Sequence, residues 1–165
     1  MTQVQEKASG IRGDDLQAIT PHLVCAGAAN AIEFYKRAFG AVEKMRLTGA
    51  DGKLLHGAIK IGNASVMLVD ECPDWRSFGP TSLKGTPVTI HLYVADVDAF
   101  VERAVKEGAI LHMPVSDMFW GDRYGIIEDP FGHRWSIATH QRDMSAEEIE
   151  QAMKSMMPAR GDGGC

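Results

Sequence analysis

The chain writes one unit twice. Residues 20–41 read TPHLVCAGAANAIEFYKRAFGA, and residues 89–109 read TIHLYVADVDAFVERAVKEGA. Each opens Thr-x-His-Leu, continues apolar, turns to a helical pattern and ends in Gly-Ala. The histidines stand at 22 and 91 and the glycine stops at 40 and 108, so the register drifts by a single residue. A strand-helix unit of this size buries its apolar side only against another element, so two copies should pair around a common interior.

The segments after each unit complete it. In the first copy Ile19 to Ala26 reads as extended, and Ala28, Ala31, Ile32, Tyr35 and Phe39 make one helical stripe. Strands are expected over 41–48, 53–61 and 64–70, with turns at DGK and GNA. In the second copy Val97, Phe100, Val101, Ala104 and Val105 recur at helical spacing. Strands are expected near 109–115, 123–128 and 133–139, the last two joined by DPFG. Each half is therefore strand, helix, strand, strand, strand.

This divides the chain into a flexible leader (1–17), a first βαβββ module (18–70), an inter-module loop (71–87), a second module (88–140), a C-terminal helix (141–157) and a disordered tail (158–165). The loop is long enough for a lid or a crossover arm, with a solvated linker as the plainer alternative. In the tail helix Ser145 and Glu148 form a capping box, and Ile149, Ala152, Met153 and Met156 make an apolar stripe suited to packing on the body or on a second subunit.

Composition excludes several classes. A net charge of −5 with no basic cluster argues against nucleic-acid binding. No apolar run reaches the roughly 18 residues of a membrane span. The leader is polar rather than signal-like. Cys25, Cys72 and Cys165 form neither a disulfide framework nor a zinc pattern, which suits a reducing cytoplasmic setting.

Strand alternation sorts the side chains. Ile90, Leu92 and Val94 belong to the helix-covered face with Leu23, Cys25, Trp135 and Ile137. Thr20, His22 and Val24, Thr89, His91 and Tyr93, and Arg134, Ser136 and Ala138 fall opposite, with no acidic residue among them. Polar groups mixed with small apolar ones suit the lining of a ligand cavity. A closed core of mutually satisfied polar groups is the alternative.

The segments ITPHLV, AIEFYKRAFGA, GTPVTIHLYVADVDAF, FWGDRYG and DPFGHRWSIATH resemble the vicinal oxygen chelate superfamily, which includes glyoxalases, bleomycin-resistance proteins and dioxygenases, and within it the PhnB-like branch. The resemblance spans about residues 18–157. It implies an α+β fold of two tandem βαβββ modules, a curled mixed sheet around a central cavity, helices on the outer face and, commonly, a homodimer. Metal-dependent members place ligands on the first and last strands of each module. The corresponding positions here are Thr20, Thr89, Ser136 and, within one residue, Met67. Hydroxyls and a thioether are poor ligands for a divalent ion beside carboxylate and imidazole, so no metal and no cofactor is expected. The methyltransferase label attached to some PhnB-like proteins finds no support, because no Gly-rich strand-to-helix loop is present.

The expected ligand-binding set is His22, His91, Tyr93, Trp120, Arg123, Arg134, Ser136 and Met67. His22 and His91 are also candidates for general acid/base work. Trp120 and Arg123 suit an aromatic or anionic ligand at a cavity mouth, or a stack that holds their loop together. The leading reading is a small-molecule-binding protein. A metal-independent enzyme using a cavity histidine is the alternative, and a lyase or dioxygenase with displaced metal ligands stands behind both.

Overall fold

The computed structural model describes residues 17–156, so the expected leader, except for its last residue, and the expected tail lie outside the described residues. The first module runs β1 (His22–Cys25), α1 (Ala28–Phe39), β2 (Val42–Thr48), β3 (Leu54–Ile61) and β4 (Ala64–Asp70). A 3-10 turn (Pro73–Trp75) and the short helix α2 (Pro80–Leu83) follow. The second module runs β5 (Thr89–Tyr93), α3 (Val97–Lys106), β6 (Ile110–Asp117), β7 (Asp122–Glu128) and β8 (Arg134–His140), and α4 (Ala146–Met156) closes the described chain.

The duplication persists in the hydrogen bonding. The sheets are ordered β1-β4-β3-β2 and β5-β8-β7-β6, and the first strand of each pairs in parallel with the last. Both helices begin on a side chain from the end of their own module's last strand. Asp70 Oδ1 accepts from the Gly27 and Ala28 amides at 2.9 and 2.8 Å, and Thr139 Oγ1 accepts from the Val97 amide at 2.8 Å. These side chains satisfy donors that an α-helix leaves open at its first turn. α1 ends on Gly40, whose φ of 66° lies in the left-handed region. Gly108 also has positive φ, one residue past the C-cap of α3.

The tandem βαβββ modules form two four-stranded mixed sheets, as an α+β fold of this kind requires, and the sheets do not close on each other. β1 and β5 are both edge strands, and the free edge of β1 is covered by side chain and loop. His133 Nε2 donates to the Val24 carbonyl at 3.0 Å. Gly79 also approaches so closely that a Cβ there would lie 2.7 Å from the same oxygen. An edge carbonyl occupied in this way is withdrawn from strand pairing.

The helix-covered faces merge into one core. Phe39 of α1 meets Phe100 of α3 at a ring-centroid distance of 4.9 Å and Trp135 of β8 at 5.0 Å. Of the expected α3 stripe, Val97, Phe100, Val101 and Ala104 are buried while Val105 is exposed. The capping box of α4 forms as expected, yet no residue of α4 is buried.

Candidate functional site

A cavity lies between the modules. It encloses about 440 Å³, within the range of small-molecule sites. One wall is Pro21 and the start of β1 to Val24; the other is the inter-module segment, with Phe78 and Leu83, continued by Val88 of the second module. Ile90 and His133 complete it. The segment 71–87 therefore forms a wall through Phe78 and Leu83, while Trp75 stands 85% exposed.

His22 lines this cavity, with its ring 6.2 Å from that of His56. Partial burial, with His56 adding repulsion, lowers its pKa and so favours the neutral imidazole. His133 holds the wall, bonded to Val24 on the far side of the module boundary.

His91 sits elsewhere, on the helix-free face of the second sheet, and lines neither cavity described here. The pairing repeats across modules: His22 stands beside Met67, and His91 beside Ser136. Ser136 Oγ is 2.7 Å from His91 Nδ1. Tyr93 packs edge-on to the His91 ring at 4.6 Å, and Tyr124 stacks on it at 6.0 Å. Trp120 extends this row of rings, 5.5 Å from Tyr124. The row is open to solvent at Tyr93, which is 59% exposed.

One acidic residue organises that wall. Asp122 is buried and accepts from the Tyr93 hydroxyl and Trp120 Nε1, both at 3.1 Å, with His140 Nδ1 at 2.8 Å. Burial raises the Asp122 pKa, but these bonds outweigh it and the net shift is downward. His140 is shifted upward by Asp122 and then Asp143. Alternation along the first and last strands alone leaves this face without an acidic residue. Asp122 opposes His140 across β7 and β8, and applying the same alternation to β7 would have found it.

Arg123 points the other way. Its guanidinium binds both Asp98 oxygens, at 2.6 and 2.7 Å, and Asp117 at 3.1 Å, tying β7 and β6 to α3. Arg134, beside Thr89 in the ladder, lines a second, polar cavity of about 280 Å³ with Glu128, Lys84 and Thr81.

The model of the glyoxalase/bleomycin resistance protein/dioxygenase superfamily matches residues 17–137. The chain belongs to this superfamily. A Mycobacterium bovis protein of uncharacterized function is 50% identical over 149 residues, covering 88% of this chain and 95% of the relative. The crystal structure of TioX from Micromonospora superposes with a TM-score of 0.60 at 24% identity, covering 76% of this chain and 99% of TioX. A PhnB protein from Bacillus cereus superposes with a TM-score of 0.59 at 17% identity, covering 74% and 99%. At such identities the structures establish the fold alone.

The first and last strands of each module are where the resemblance places the ligands of metal-dependent members. Thr89 stands beside Arg134 rather than a carboxylate, His91 beside a hydroxyl, and His22 beside a thioether. Among the described residues no group of three His, Cys, Asp or Glu side chains is placed to hold a metal. No helix among them is long and apolar enough to cross a membrane.

Proposed function

We propose that this glyoxalase-superfamily protein binds a small, largely apolar organic molecule in the cavity between its modules, without a resident metal or other cofactor. The observation that carries this reading is the lining: Leu23, Val24, Phe78, Leu83, Val88 and Ile90 around a few polar groups led by His22 and His133. Such a surface binds by burying apolar area, at roughly 25 cal/mol per Å², and orients its guest through the few polar contacts.

The working form in this proposal is a homodimer in the cytoplasm. α4 presents Met153 and Met156 to solvent, and the Tyr93 side of the second sheet is likewise open. Both surfaces suit a second copy. Cys25 and Cys72 are free thiols, in keeping with a reducing compartment.

A metal-independent enzyme is the second reading, favoured by one observation. His22 adjoins the cavity, as a general base must, and burial shifts it toward the neutral form.

Native mass spectrometry of the protein purified without chelator tests the proposal. A dimer carrying a bound organic mass of a few hundred daltons and no stoichiometric metal is expected. One equivalent of zinc, iron, nickel or manganese per chain would overturn the metal-free reading.

A further inference from the structure

The two cavities share the wall Pro80, Gly85 and Thr86, so what fills one adjoins the other. Resting on the small-molecule reading, we propose that the bound molecule carries an oxyanion, a carboxylate or a phosphate. It is held in the 280 Å³ pocket by Arg134 and Lys84 while its apolar body occupies the larger cavity.

Arg134 gives the first reason. Its Nε is shut off from solvent and has no hydrogen-bond partner, and no carboxylate among the described residues pairs with its guanidinium. Two arginines elsewhere in the fold are answered by carboxylates: Arg46 by Glu33 and Glu43, Arg123 by Asp98 and Asp117. Because the Arg134 Nε is closed to guests as well as to water, an anion in the pocket would meet the guanidinium's terminal nitrogens, which no carboxylate among the described residues holds. The planar guanidinium fork matches the oxygens of a carboxylate or phosphate.

The second reason is where the nearest carboxylate goes. Glu128 stands directly opposite Arg134 across β7 and β8 and lines the same pocket. Its Oε2 instead meets His112 Nε2 at 3.0 Å, leaving Arg134 to an incoming group. Lys84 supplies the second cation from the facing wall. It holds a φ of 59°, a left-handed conformation unusual for lysine, fixed by hydrogen bonds from its amide to the Pro80 and Thr81 carbonyls.

Calorimetric titration with three naphthalene probes tests the inference: 2-naphthoate, 2-naphthyl phosphate and the neutral 2-naphthalenemethanol. At least one anion should bind about tenfold or more tightly than the alcohol, a difference of about 1.4 kcal/mol. Arg134→Gln should erase the preference while leaving the alcohol's affinity in place, and Lys84→Asn, which tolerates the left-handed backbone, should reduce it. Equal binding of all three probes to the wild type, or a preference that survives Arg134→Gln, overturns the oxyanion site and leaves the apolar cavity standing. If neither the alcohol nor the anions bind, the cavity reading fails and the oxyanion site fails with it.

Discussion

The Tyr35 hydroxyl, on the helix of the first module, donates to the Asp129 carboxylate in the DPFG turn of the second. Asp129 is buried and also accepts from Trp135 Nε1 at 2.8 Å and from the Phe131 and His133 amides at 2.9 and 3.0 Å. The turn that places His133 against β1 is thereby fastened to α1, and the cavity wall inherits its position from this lock.

Tyr35→Phe is predicted to cost about 1.5–3 kcal/mol in denaturant unfolding, the range for a hydrogen bond to a charged group. Burial first, and the Asp129 charge second, raise the Tyr35 pKa well above its ordinary value of 10. A group whose folded pKa is raised contributes stability that is complete below the unfolded pKa and declines as pH rises beyond it. Wild-type stability should therefore fall above about pH 10 through this group, and the variant should lose that part of the alkaline decline. An alkaline limb of the same size in both proteins would exclude Tyr35 as its source.

His91→Ala and Leu68→Ala should separate wall from core. His91 packs on an open face, so its loss should cost about 1–2 kcal/mol, mainly through the partnerless Ser136 hydroxyl. Leu68 is fully buried beneath α1, and truncation should cost about 2–5 kcal/mol. If the two midpoints fall together in side-by-side urea unfolding, His91 is a core strut.

The Asp122 cluster predicts a bell-shaped stability profile. The lowered Asp122 pKa contributes stability present above the ordinary carboxylate value of 3.8 and lost as pH falls through the folded value. The raised His140 pKa contributes stability complete below 6.5 and lost as pH rises through its folded value. Asp122→Asn should flatten both limbs in thermal unfolding scanned across pH. A variant profile parallel to the wild type would show that the cluster does not couple to folding.

Arg123→Gln should leave the affinity for the naphthalene probes unchanged, because both Asp98 oxygens and Asp117 already hold its guanidinium away from the cavities. A loss of tenfold or more would return Arg123 to the binding set.

The element plan was legible because it rests on local signals. Gly40 stops α1, Ser145 and Glu148 cap α4, and strict alternation sorts β5 into Ile90 and Leu92 on one side and His91 and Tyr93 on the other. Pairing between modules was not legible, since it depends on long-range contacts such as His133 with Val24, which no periodicity encodes. That contact, with Gly79, covers the β1 edge beside the cavity that His22 lines and His91 does not. Arg123 shows the same limit at one residue: its charge was evident, whereas the Asp98 that engages it lies on α3.

Removing residues 144–165 should convert the proposed dimer to monomer in sedimentation, since Met153 and Met156 stand exposed and no residue of α4 is buried among the described residues. A truncated protein that still sediments as a dimer would free α4 from that role.

A small molecule seated between the modules should be visible in proton–nitrogen correlation NMR during titration with 2-naphthalenemethanol. Saturable shifts are predicted at the amides of Leu23, Val24, Phe78, Leu83 and Val88, with β2 and α4 unmoved. Absence of any saturable shift, or shifts confined to residues outside this wall, would contradict that placement.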